Sequence, residues 1–164
     1  MKPVNKYLIL FLAILYFSDY SYSQAIPKFI NPTGTYSLKS KTSKRNGETY
    51  GYSGNIQVIL IDSNHIKMTF FVSRGAPSYN SGSFVETLFY DGTKAVYTES
   101  DSTNDCMTSF IFSKQGVDVY ENPEVKQLCW GYGVVATGHY KKKSAKKPAL
   151  RHPLTDKVIL EAPK

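Results

Sequence analysis

The chain is predicted to be all-β: an antiparallel eight-stranded meander, closing as a small lipocalin-like barrel with one disulfide. Period-2 alternation, enriched in aromatic and β-branched residues, recurs from Gly34 to Lys141. No window in that stretch sustains an amphipathic helical period, and Gly, Asn and Asp separate the alternating runs. Sequential short strands joined by tight turns favour an up-and-down order, which removes its exposed edges best by closing on itself. A two-sheet sandwich is the alternative.

The first strand is Gly34 to Leu38, followed by a polar, Gly-containing loop from Lys39 to Glu48. Tyr52 to Ile61 and His65 to Val72 form a hairpin around Asp62-Ser63-Asn64, with Ile66, Met68 and Phe70 on one face and Lys67 and Thr69 on the other. Ser73 to Gly82 is too rich in Gly and Pro for a strand. Phe84 to Tyr90 and Lys94 to Thr98 flank Asp91-Gly92, a dipeptide suited to the positive φ angles of a type I′ turn. Cys106 to Phe112 alternates, with Thr108, Phe110 and Phe112 opposite Met107, Ser109 and Ile111. Val117 to Tyr120 and Val134 to Lys141 complete the eight, and Lys157 to Glu161 is a candidate for one more edge strand.

Ahead of this lies a charged start, Met1 to Lys6, an apolar run from Tyr7 to Phe17, and small residues at Ser21 and Ser23. That order is a secretory signal peptide, residues 1–23, cut before Gln24. Its apolar run is shorter than the roughly 20 residues a helix needs to span a bilayer. The remainder divides into a leader (24–33), the barrel domain (34–143) and a basic, largely extended C-terminal tail (144–164). The location expected is secreted or periplasmic.

Cys106 and Cys129 are the only two cysteines. An even count in an oxidising compartment argues for a bridge, contributing roughly 3 kcal/mol for a loop of this length. One pair cannot build a zinc site, and His65, His139 and His152 fall singly, so no metal and no cofactor is expected. The formal charge of +7 is localised. Gln24 to Tyr140 carries ten basic and ten acidic residues, whereas Lys141 to Lys164 carries eight basic and two acidic. Lys141, Lys142, Lys143, Lys146 and Lys147 therefore form a candidate surface-charge run for weak attachment to an anionic surface, or a merely solvated end. A neutral domain points to no specific nucleic acid.

No catalytic constellation is present: there is no Gly-x-Ser-x-Gly elbow, phosphate loop or His-Glu-x-x-His helix, and the carboxylates sit mostly in turns, where they bond local backbone. The expectation is a non-enzyme. The densest feature is Cys129-Trp130-Gly131-Tyr132-Gly133, a cysteine-tied aromatic loop. Trp130 and Tyr132 are candidate partner contacts, since large rings on a rigid loop give area at low entropic cost; the competing reading is a barrel-end plug with Trp130 buried. Arg74 and Tyr79 are contact candidates from the long loop that holds them.

The run Asp105-Cys106, Phe110-Ile111-Phe112, Gly116 to Val119 and Cys129 to Lys141 resembles small exported bacterial β-barrel domains of the secreted lysozyme-inhibitor-like kind, over about a quarter of the chain. In those a cysteine pair brackets a Phe-x-Phe strand, and the second cysteine opens a Gly-aromatic-Gly turn ending in Gly-x-Tyr. The resemblance implies a small antiparallel barrel and a lysozyme-like hydrolase as partner. The Ser-Gly-x-x-Tyr loop of membrane-bound inhibitors is not reproduced, since Ser53-Gly54 continues Asn-Ile-Gln and Ser81-Gly82 continues Ser-Phe-Val. No inhibitory residue is carried over. The function expected is an exported binding module acting at the cell envelope; the alternative is a lipocalin-like carrier of a small apolar ligand, its interior lined by Phe70, Phe84, Phe110 and Phe112.

Overall fold

The computed structural model describes residues 29–160 apart from 39, 102–103 and 123–128. The expected signal peptide, 1–23, lies outside the described residues. Eight strands build the main sheet: β1 (Gly34–Leu38), β3 (Glu48–Leu60), β4 (His65–Gly75), β5 (Ser81–Phe89), β6 (Lys94–Asp101), β7 (Asn104–Phe112), β8 (Gly116–Glu121) and β9 (Gly138–Ser144). A short strand, β2 (Ser43–Arg45), pairs onto β3. The hydrogen-bonded order is β5-β4-β3-β1-β9-β8-β7-β6. First and last strands of the meander are thus zipped together, Tyr36 opposite Lys142 and Leu38 opposite Tyr140. The barrel expected from the alternation is formed and nearly closed, in preference to the sandwich.

Closure is interrupted at one seam. Between β5 and β6 the only bridge is Tyr90 to Ala95, and above it a cleft of about 520 Å³ separates Glu86–Phe89 from Val96–Glu99. Register explains the gap. Glu86 stands opposite the buried Met68 and Glu99 opposite the buried Cys106, so both residues hold inward-facing register positions, which the open seam leaves exposed to solvent. Completing the ladder would force two like charges into the interior beside Tyr97, and inward-pointing charge is one way a strand edge resists pairing. Burial first, then Glu99 and Glu86, raise the Tyr97 phenol above its ordinary pKa.

Inward residues fill the barrel. Tyr36, Ile56, Phe70 and Phe84 form one register row across β1, β3, β4 and β5. Phe70 sits at the centre, its ring 4.8 Å from Trp130, 5.5 Å from both Phe84 and Phe110, and 5.9 Å from Tyr140. The buried tyrosines satisfy their hydroxyls on nearby carbonyls: Tyr36 donates to Pro32 O, Tyr90 to Ile30 O and Gly92 O, and Tyr140 to Ala136 O. All four phenylalanines expected to line the interior do so, packed ring against ring.

The turns differ from expectation in an instructive way. Asp91 does not take a positive φ; Gly92 alone does (99°), and the Asp91 carboxylate accepts from the Thr93 and Lys94 amides at 2.8 and 2.6 Å. The pair of positive φ angles that defines a type I′ turn occurs instead at Asn46 (51°) and Gly47 (80°), inside the stretch expected to be a loop, where it creates the β2–β3 hairpin. The last barrel strand begins at Gly138, not Val134. The preceding amides of Ala136 and Thr137 donate to the Glu121 carboxylate at 2.8 and 3.1 Å, which replaces a ladder there.

The C-terminal segment is also different from the extended tail expected. β10 (Leu150–Arg151) and β11 (Val158–Leu160) pair as a two-stranded antiparallel hairpin, so the strand expected near Lys157 to Glu161 adds to β10 and not to the barrel edge. β10 lies on the outer faces of β3 and β4, burying Leu150 together with the outward-pointing Ile59 and Thr69. Within the described residues, no helix is long and apolar enough to cross a membrane.

Candidate functional site

The two loops that hold the sequence-derived contact residues meet at one end of the barrel. Arg74 closes β4, and the chain reverses tightly through Ala76–Asn80: Tyr79 N donates to Gly75 O at 2.8 Å and Arg74 N to Asn80 O at 3.0 Å. The other loop enters at Cys129, whose sulfur is bonded to Cys106 at the start of β7, with the two Cα atoms 5.3 Å apart. Such a spacing is ordinary for a bridge. A disulfide of this kind fits an oxidising compartment.

Three contacts weld the loops together. Asn80 Nδ2 donates to Tyr132 O at 2.7 Å. The Arg74 guanidinium lies against Gly133, where any side chain would collide with Nη1. Trp130 rests directly on Gly82, and a Cβ at Gly82 would stand 2.8 Å from both Trp130 Cα and Cβ, so only glycine lets the indole settle there. Tyr52, from β3, adds a fourth tie by donating to Gly133 O at 3.0 Å.

Within this end the four candidates separate. Trp130 is 3% exposed and packs on Phe84 and Tyr97 as well as Phe70, which makes it the barrel-end plug and removes its ring from any outer surface. Arg74 is half-buried beneath Gly133. Tyr132 (78% exposed) and Tyr79 (51% exposed) are the rings that face solvent. Tyr79 further holds φ at 52°, a left-handed conformation that costs a bulky residue about 1–2 kcal/mol and is commoner where function demands it. Sequence reasoning placed these residues on two separate surfaces and missed Asn80 and Gly82. The Ser81-Gly82 pair was visible, but what it supports is a residue almost fifty positions away.

The lysine run behaves as a strand, not a tail. Lys141, Lys142 and Lys143 belong to β9, and only Lys146 and Lys147 lie beyond it. Lys142 leans inward with Nζ 5.4 Å over the Tyr36 ring, and burial lowers its pKa. Lys141 and Lys143 point outward and are exposed. Of the turn carboxylates, Asp62 bonds Asn64 N and His65 Nδ1, and Asp91 and Glu121 bond backbone as described. His65 pairs with Asp62 at 3.0 Å and His139 with Asp118 at 2.7 Å on different strands, and among the described residues no three His, Cys, Asp or Glu side chains converge. No protein-family model, curated protein or solved structure matches the chain.

Proposed function

We propose that this protein is an exported, non-enzymatic binding module that engages a macromolecule at or outside the cell envelope through the barrel end built by Arg74–Asn80 and Gly131–Gly133. The observation that carries the reading is the Asn80 to Tyr132 bond, which unites both loops into one surface with two exposed tyrosine rings. Tyrosines on a rigid scaffold lose little entropy on binding, and the disulfide and the buried Trp130 hold this end in place. A lysozyme-like hydrolase is the partner of first choice, on the resemblance in the Cys106–Lys141 region. The packed interior counts against the carrier alternative, which needs room for an apolar ligand.

Activity assays of animal-type, goose-type and invertebrate-type lysozymes with the disulfide-bonded chain test the reading. Inhibition of one class is expected, and Tyr132→Ala with Tyr79→Gly should weaken it at least about tenfold. Glycine accepts the 52° φ of Tyr79 without strain, so the variant keeps its fold. Inhibition that survives the double substitution removes the barrel end as the interface; no inhibition of any class removes lysozyme as the partner.

A further inference from the structure

A second concavity, of about 400 Å³, lies on the barrel wall where the C-terminal hairpin overhangs β1, β3 and β4. Its size falls within the range of small-molecule sites, roughly 300–1,000 Å³. Outward positions of the sheet supply a floor of Thr35, Ser37, Asn55 and Gln57, and Phe71 adds one aromatic face. Arg151, His152 and Pro153 form the overhanging wall, and Lys143 stands on the β9 side.

Gln57 Oε1 already accepts from Arg151 N at 2.9 Å and Thr69 Oγ1 at 3.4 Å, and its amide nitrogen has no partner among the described residues. His152 Nδ1 accepts from Leu154 N at 3.3 Å, so in the neutral ring Nε2 carries the proton and can only donate. Asp156 also lines the cleft, but its Oδ2 receives Arg151 Nη1 at 3.2 Å, and the same nitrogen donates to Asp156 O at 3.0 Å. This pair is solvent-exposed and the guanidinium keeps donors to spare, while Lys143 has no carboxylate partner among the described residues. Lys143 and Arg151 against the single carboxylate of Asp156 leave the cleft net positive, and Asn55 and the Thr and Ser hydroxyls can each donate or accept.

We propose that this cleft binds an anionic saccharide, its acid group held by Lys143 and Arg151, its hydroxyls by the Gln57 amide and the Thr and Ser floor, and one ring face by Phe71. A net positive cleft selects an anion, hydroxyls and amides that both donate and accept suit the hydroxyls of a sugar, and a guanidinium suits a carboxylate or phosphate. The hydroxyl-bearing floor and the aromatic face favour a sugar over a bare anion. This site lies on the wall and is independent of the proposed contacts at the barrel end.

The test is a 15N–1H correlation titration of the disulfide-bonded chain with glucuronate, glucose and inorganic phosphate at constant ionic strength. Expected is a saturable response to glucuronate confined to Thr35, Ser37, Gln57, Arg151 and His152, much weaker for glucose and phosphate. Lys143→Met should reduce glucuronate affinity at least about tenfold, since it removes a charge-assisted bond from an exposed residue with no structural partner. Phe71→Leu should weaken glucuronate and leave phosphate unchanged. No response at these residues, an equal response to glucose, or phosphate binding as tightly as glucuronate would overturn the proposal.

Discussion

Trp130→Ala should cost more than any other single substitution at the barrel end. The indole is 3% exposed and its ring lies 4.8 Å from Phe70, 5.5 Å from Tyr97 and 5.9 Å from Phe84, so truncation opens a cavity at the meeting point of three aromatic side chains. Deleting a buried tryptophan costs about 3–5 kcal/mol. Part of that is returned, because Trp130 Nε1 is buried with no hydrogen-bond partner among the described residues, a state worth about 1–3 kcal/mol of penalty that alanine relieves. The net expectation, the difference of the two central values, is about 2 kcal/mol, or a fall in Tm of roughly 5–10 °C for a domain of this size. Trp130→Phe keeps much of the ring contact and also removes the unpaired donor, so it should lie within about 1 kcal/mol of the parent. Urea unfolding followed by far-ultraviolet circular dichroism measures both, because the substitution deletes the only tryptophan and with it the fluorescence probe. A loss below about 1 kcal/mol for alanine would refute the plug. A phenylalanine variant as unstable as the alanine one would show that the indole N–H is paired.

Replacing both Cys106 and Cys129 by alanine should lower stability by about 3 kcal/mol through loop-closure entropy over the 23-residue separation, read as a calorimetric Tm shift; a loss under about 1 kcal/mol would mean the loop is held without the bridge. Asp91 has a dependence on pH of definite sign. Desolvation pushes its carboxyl upward, but bonds from the Thr93 and Lys94 amides, the Thr93 hydroxyl and the Lys94 charge outweigh it and leave the pKa below the usual carboxylate value. A depressed folded-state pKa contributes stability that is present above the unfolded value, about 3.9, and is lost as pH falls through the folded one. Asp91→Ala should therefore cost about 1 kcal/mol at neutral pH after solvent screening and much less in strong acid; denaturation curves showing an equal loss at both pH values would exclude the linkage.

Strand identity was legible along most of the chain, because a half-buried strand writes its two faces directly into alternate residues. Ile66, Met68 and Phe70 against Lys67 and Thr69 is the clearest instance, and in β7 the alternation separated Thr108, Phe110 and Phe112, which the structure buries, from Met107, Ser109 and Ile111. Asn46-Gly47 carried an equally local signal for a type I′ turn, obscured by the charged residues Lys44, Arg45 and Glu48 around it. Glu86 and Glu99 were visible as charges, but nothing local shows that both belong to inward positions of facing edges.

What the sequence determined by itself was the all-β class, the meander, the pairing of its two cysteines and the four phenylalanines that face inward, each of which follows from nearest-neighbour periodicity or from counting; that those rings fill the interior and do not line a hollow was settled by their packing. Only the tertiary structure decided where the barrel stays open, which face of the C-terminal hairpin is buried, and that Tyr79 and Tyr132 share a surface while Trp130 does not. Those outcomes depend on contacts between residues that are not neighbours in sequence, as Asn80 and Tyr132 meet at a separation of 52. Periodicity constrains which way a side chain points from its own strand; which side chain it then meets is set by register and closure, and these are properties of the whole sheet.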